Sequence, residues 1–274
     1  MHGQGNDYIV IDNRDQRVNE EKLGDLSRSL CRRRFSVGAD GVLLVYSSTI
    51  ADAKMRIFNA DGSEAEMCGN GIRCFAKYCY ENNIARKEHI RIETLAGIRD
   101  TWLSLEDGRI VAVRVDMGRP IFEREKIPVL GVGKCINEDL KVNGKTFKIT
   151  CLSVGNPHCI IFVDGLDDFP VGTLGPKIEN HHLFPNRINV EFVQVINRDE
   201  LKVRVWERGV GETLACGTGA CASVIAGNLL GKNGKRCLVH LLGGDLEVEY
   251  EDKILMTGPV EKVFEGRAFL EEIL

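Results

Sequence analysis

Part of this chain is written twice, and that duplication constrains the fold more than any other feature. Residues 54–71, KMRIFNADGSEAEMCGNG, align without a gap on residues 202–219, KVRVWERGVGETLACGTG, at a constant offset of 202 − 54 = 148. Lys54 falls on Lys202, Arg56 on Arg204, Phe58 on Trp206, Glu64 on Glu212 and Cys68 on Cys216, while Gly69 and Gly71 fall on Gly217 and Gly219. A second pair lies upstream, GNDYIVID from Gly5 and GNPHCIIFVD from Gly155, at an offset of 155 − 5 = 150. Two matches in the same order at nearly the same spacing make the chain two related halves, so the fold must repeat one supersecondary unit.

Each half reads as the same unit. Met55-Arg56-Ile57-Phe58 and Val203-Arg204-Val205-Trp206 alternate with the period of two that marks a strand. A polar turn follows, then small and apolar residues at helical spacing from Gly69 and Gly217: Ile72, Phe75, Ala76 and Cys79 in one half, Ala220, Val224 and Ile225 in the other. Further short strands are expected at Val42 to Tyr46, Ile90 to Glu93, Ile110 to Val115, Cys159 to Val163, Val190 to Val195 and Leu246 to Tyr250. Many strands and few helices give an α+β class: two pseudo-symmetric domains, each a mixed or antiparallel sheet wrapped around a central helix. The Gly/Pro punctuation at Asp116-Met-Gly-Arg-Pro120 sets the boundary, with domains at 1–117 and 118–261 and a C-terminal strand over 262–274 returning to the first.

A chain of 274 residues, 43% hydrophobic, is long enough for two ordinary cores. A net charge of -4 offers no basic footprint for nucleic acid, which leaves a small molecule as the expected partner. The opening MHGQGNDYIVID lacks the cationic and apolar regions of a signal peptide, and no apolar run is long enough to span a membrane, so a cytoplasmic protein is expected. Ten cysteines in a chain of this length read as reduced thiols rather than as a disulfide framework. The closest spacings, Cys74 to Cys79 and Cys216 to Cys221, do not match the close pairs of zinc sites, and no metal is expected. Cys31, Cys135, Cys151, Cys159 and Cys237 are expected to be small buried hydrophobes.

Cys68 and Cys216 differ from these. Each sits at a strand-to-helix turn followed by Gly-x-Gly, where converging backbone N–H groups and a helix N-terminus form an anion nest. Such a field favours thiolate, lowering a cysteine pKa from about 8.5 into a range of roughly 3.5 to 7.5. A pseudo-two-fold relation would turn the two helix starts toward one ligand, a carboxylate held between them with a sulfur on either face of its α-carbon. That arrangement suits removal of the α-proton by one sulfur and its replacement by the other, an inversion that needs no cofactor. Two other readings stay open on the residues alone. The cysteines can be packed thiols, or the glycine turns can hold a phosphate, since GTGACA at 217–222 fits G-x-G-x-x-A without a clean βαβ unit around it.

NADGSEAEMCGNGIRC, ERGVGETLACGTGA, MHGQGNDYIVID, GNPHCIIFVD and NRINVEFVQV together resemble the diaminopimelate epimerase family, in that family's order and over most of the chain. The resemblance implies interconversion of L,L- and meso-diaminopimelate without pyridoxal phosphate or any other cofactor, in lysine and peptidoglycan-precursor synthesis, by a homodimer. It makes Cys68 and Cys216 the acid/base pair, conventionally donor and acceptor, and His158 and Glu207 residues that tune them. Gly69, Asn70, Gly217 and Thr218 would hold the reacting carboxylate through backbone amides. Asn6, Asn59, Asn156, Asn189, Glu207 and Arg208 would bind the substrate, chiefly its distal end. Proline racemase-like enzymes, the runner-up, usually have CGHG where this chain has CGNG and lack the ERG stretch. One departure is that the family carries an edge strand ahead of the motif that here begins at Met1: either the start was assigned late or that strand is missing, and the packing around Asn6 depends on which; Gly41, at a position that varies in the family, offers no side chain.

Overall fold

The strands expected ahead of the two cysteines form in the computed structural model, which describes residues 1–269. They span Ala53–Asn59 and Glu200–Glu207, and each alternates buried with partly exposed positions, as a strand with one covered face does. The remaining expected strands are present as Gly41–Tyr46, His89–Thr94, Arg109–Gly118, Pro157–Phe162, Asn189–Asn197 and Gly244–Tyr250.

The chain divides into two units, Met1–Val115 joined by the segment from Gly258, and Asp116–Thr257. In the first, Asn6–Asp12 is parallel to Gly41–Tyr46, which is antiparallel to Ala53–Asn59. That strand is parallel to His89–Thr94, after which Gly97–Glu106 and Arg109–Gly118 continue antiparallel. Each parallel pair requires a crossover. Helix α1 (Leu23–Leu30) lies within the first crossover and α2 (Gly69–Glu81) within the second. The second unit repeats the scheme strand for strand. Pro157–Phe162 is parallel to Asn189–Asn197, then Glu200–Glu207 is antiparallel, Arg236–Leu241 parallel to it, and Gly244–Tyr250 and Ile254–Pro259 antiparallel. Its crossovers carry α3 (Val171–Glu179) and α4 (Gly217–Leu229). The sheets are therefore mixed, and the topological repeat extends well beyond the stretch where the sequence repeats.

Periodicity locates α2 and α4 because they are the buried ones. Ile72, Phe75, Ala76 and Cys79 on α2, and Ala220, Val224 and Ile225 on α4, are all fully buried. α2 packs against strands of the first unit and α4 against six strands of the second, so both are enclosed by their own sheet. α2 also buries Arg73 and Lys77, whose cationic ends are tied to carbonyls: Arg73 to Gly69 and Pro259, Lys77 to Ile110. The helices α1 and α3 are additions to the expected elements. α1 sets Leu23, Leu26 and Leu30 into a separate core against Val42, Leu44 and Phe58, and α3 hides its apolar face around an internal proline, Pro176, that sequence rules read as a break.

The repeated charges have a shared purpose. Arg56 Nε donates to Glu64 at 2.6 Å and Arg204 Nε to Glu212 at 2.7 Å, each across the hairpin that leads into the cysteine. Past Glu261 the fold departs from expectation. Residues 262–269 are exposed and join no ladder, because KVFEGRAF lacks a sustained alternating face; the strand expected over 262–274 is not formed there, and 270–274 lie outside the described residues. Phe75→Ala is expected to lower the unfolding free energy by about 3–5 kcal/mol in a urea titration, since it empties the centre of the α2 core.

Candidate active site

The strand–hairpin–helix unit delivers each cysteine to the same local position, the residue just before the helix. Cys68 has extended backbone angles, φ −139° and ψ 125°, and its sulfur accepts from Gly71 N–H at 3.4 Å. Cys216 has φ −125° and ψ 107°, and its sulfur lies 3.4 Å from Thr218 Oγ1. The first intrahelical bonds are Ile72 N–H to Cys68 O and Ala220 N–H to Cys216 O. The amides of Gly69 and Asn70 and of Gly217 and Thr218 precede them in the first turn of each helix.

Around Cys68 the first unit brings together several expected residues and one that the sequence does not single out. Tyr8 O–H donates to Cys68 Sγ at 3.1 Å, and burial together with the facing sulfur holds the tyrosine pKa well above its ordinary value. The hydroxyl therefore acts as a donor. Asn6 Oδ1 lies 3.6 Å from Cys68 Sγ and accepts from Asn70 Nδ2 at 3.3 Å, while Asn6 Nδ2 donates to Asp40 at 2.9 Å. Burial would raise the Asp40 carboxyl, but bonds from Asn6, the Asp7 amide and Arg33 outweigh it and leave Asp40 below the usual range. Asn59 closes its own turn, with Nδ2 on Ser63 Oγ at 3.0 Å, and pairs with Gly41 in the sheet. At Gly41 a Cβ would stand 2.7 Å from Phe58 O and 3.1 Å from the Tyr8 ring, so a side chain there would displace the tyrosine that reaches the sulfur.

The second unit surrounds Cys216 differently. Burial pushes the Cys216 thiol well above its ordinary pKa, and the Glu207 carboxylate pushes it further; Thr218 and the Gly219 amide only partly oppose them. The expectation that both helix starts lower their cysteine therefore fails at Cys216. Burial and that carboxylate outweigh the first-turn amides. Glu207 accepts from Thr213 Oγ1 at 2.5 Å. His158, expected to tune a thiol, bonds Glu191 Oε1 through Nδ1 at 2.7 Å and Asn156 Oδ1 through Nε2 at 2.8 Å. Asn189 is engaged at both ends, with Nδ2 on Pro157 O at 2.8 Å and Oδ1 accepting the Arg208 amide at 2.9 Å. Arg208 itself reaches Asn186 O at 3.3 Å.

Two residues of this environment, Tyr8 and Glu191, escape sequence reasoning. Both stand inside motifs that the sequence shows, GNDYIVID and NVEF, but nothing local marks a strand tyrosine or glutamate as turned toward a helix start. A signal exists in the second glycine of CGTG. A Cβ at Gly219 would stand 2.6 Å from Glu191 Oε1, so the glycine is the space the carboxylate occupies. An open depression of about 540 Å³ near Arg198 and Lys232 lies by Asn228 and Gly231, at the opposite end of α4 from Cys216, and brings neither cysteine into its lining.

The fold is shared with solved structures of low sequence identity: a hydroxyproline epimerase from Agrobacterium vitis (15% identical, TM-score 0.68, covering 94% of this chain and 86% of that one) and a phenazine biosynthesis protein from Bacillus anthracis (20% identical, TM-score 0.68, covering 94% and 92%). These likenesses show the overall α+β fold. The diaminopimelate epimerase family model matches residues 1–123 and 150–263. A diaminopimelate epimerase of Moorella thermoacetica is 53% identical over 97% of this chain and 96% of its own length, and one of Methanothermobacter thermautotrophicus is 52% identical over 97% and 96%. The chain belongs to the diaminopimelate epimerase family.

Because its proton is held by burial and the Glu207 carboxylate, Cys216 should label slowly with iodoacetamide at pH 7 and faster as pH rises. Glu207→Gln, which removes a charge at constant size, is expected to raise that rate about three- to tenfold, read by peptide mass spectrometry.

Proposed function

We propose that this chain interconverts L,L- and meso-diaminopimelate by a two-base exchange at one α-carbon. The observation that carries the reading is the paired Cys-Gly-x-Gly helix start, one in each unit, in a chain about half identical to diaminopimelate epimerases over nearly its full length. The substrate carboxylate accepts from the first-turn amides, Gly69 and Asn70 at one helix and Gly217 and Thr218 at the other. Those donors also stabilise the charge that spreads onto the carboxylate as the α-proton leaves.

One sulfur, as thiolate, takes the α-proton: a C–H bond breaks, an S–H bond forms, and the electron pair passes into the carboxylate. The other sulfur, as thiol, delivers its proton to the opposite face, so a C–H bond forms and the second sulfur is left as thiolate. Configuration inverts, nothing is oxidised, and the two sulfurs have exchanged protonation states. The surroundings support a division of labour. Tyr8 O–H and Gly71 N–H aim donors at Cys68, whose sulfur also reaches Asn6 Oδ1, and this favours Cys68 as the starting base where the family convention makes it the donor, whereas burial and Glu207 keep Cys216 protonated. Asn6, Asn59, Asn156, Asn189, Glu207 and Arg208 bind the substrate in this reading, with the last two meeting the distal amino group and carboxylate. Asn189 acts by holding the Arg208 backbone. His158 acts through Asn156 and Glu191, which it touches.

The same reading makes the protein a cytoplasmic homodimer that serves lysine and peptidoglycan-precursor synthesis. It is tested by incubating L,L-diaminopimelate with the protein in D2O. The α-carbon should gain deuterium as the meso isomer forms, and Cys68→Ala and Cys216→Ala should each lower kcat/KM by about a thousandfold or more. Unimpaired epimerisation by either variant would remove that sulfur from the chemistry.

A further inference from the structure

The topological repeat makes Tyr8 the counterpart of His158 and Leu43 the counterpart of Glu191. Tyr8 sits beside Gly41 in one parallel strand pair and His158 beside Asn189 in the other, with Leu43 and Glu191 two residues further along. The two units use these positions differently. In the first, Tyr8 reaches the cysteine sulfur and Leu43 packs within 3.2 Å of where a Gly71 Cβ would stand. In the second, both positions are polar and fully buried, and they bond each other.

The hydrogens of that pair follow from its partners. Asn156 Oδ1 only accepts, so His158 Nε2 carries a proton toward it across 2.8 Å. The 2.7 Å contact between Nδ1 and Glu191 Oε1 needs a proton as well, on one atom or the other. The second carboxylate oxygen, Oε2, is buried and makes no hydrogen bond among the described residues, and burial raises the Glu191 pKa, so the carboxyl keeps a proton readily. With Oδ1 occupied, the Asn156 amide presents its Nδ2H2 away from His158, and no described residue hydrogen-bonds that nitrogen. Its counterpart Asn6 is set the other way round, with Nδ2 given to Asp40 and Oδ1 facing Cys68.

We propose that Glu191 is a positioning residue for substrate binding: by holding one proton against His158 Nδ1 it fixes the imidazole with Nε2–H on Asn156, and so turns the Asn156 NH2 outward to donate to a substrate carboxylate. What Asn156 binds rests on the epimerase reading; the Glu191–His158–Asn156 relay does not. Leu43 shows that the fold accommodates a hydrocarbon at the matching position, so the carboxyl serves orientation rather than the core.

Two measurements test this. In the native chain labelled with 15N-histidine, NMR at pH 7.5 should show His158 Nε2 protonated without any ligand; a bare Nε2 with the proton on Nδ1 alone would overturn the relay. In kinetics with L,L-diaminopimelate, Glu191→Gln, whose amide N–H still donates to Nδ1, should keep KM within about twofold, while Glu191→Leu should raise KM about tenfold with kcat changed far less, the loss of one charge-assisted hydrogen bond. Equal impairment of both variants, or of neither, contradicts the assignment. Should Glu191→Leu not fold, the native tautomer and Glu191→Gln decide. Absence of any exchange into L,L-diaminopimelate would refute the proposed activity, while the histidine tautomer tests the relay independently of it.

Discussion

The organisation of each unit follows from enclosing one helix in a sheet. α2 and α4 are buried along most of their length, so their polar ends are the parts that must find other partners. The helix start leaves unpaired N–H groups that an apolar core will not accept. Both units solve this with a cysteine in extended conformation at the end of a hairpin and glycines in the first turn. The hairpins are braced by the duplicated Arg56–Glu64 and Arg204–Glu212 pairs, which hold the turn at a set distance from the strand. A small residue at the cap, an anion nest and a sulfur at its rim are then consequences of one packing problem solved twice.

Having duplicated that solution, the chain varied what surrounds it. Cys68 receives a phenol from Tyr8, while Cys216 is buried near the Glu207 carboxylate and keeps its proton. The glycines record the same divergence. Gly71 leaves room beside Leu43 and Tyr8, whereas Gly219 leaves room for Glu191, so two residues with one backbone role have different neighbours for different reasons.

The repeated segment, the central helices and most strands are readable because their signals are local: alternation, helical spacing and a gapless echo. α1 and α3 are not. α1 is short, with three leucines whose partners lie in strands distant in sequence, and α3 carries Pro176 and glycines that local rules count against a helix. The site is half legible. Cysteines, glycines and asparagines stand in recognisable motifs, yet the hydrogen bonds that Asn189 gives to Pro157 and takes from Arg208, and the pairing of His158 with Glu191, join residues from neighbouring strands. The thiol expectation fails at Cys216 for the same reason, since helix-start amides are written locally and the opposing burial and carboxylate are not.

The amino-acid sequence by itself determined that the chain is a duplicated α+β protein, where its two cysteines sit, and that each begins a glycine-rich helix, because those features depend on residues a few positions apart. The tertiary structure alone decided what each sulfur and each asparagine faces. Packing of α2 on the sheet brings Cys68 to Tyr8 across sixty residues, sheet pairing brings Glu191 to His158 across thirty-three, and protonation depends on such neighbours through burial, charge and hydrogen bonding.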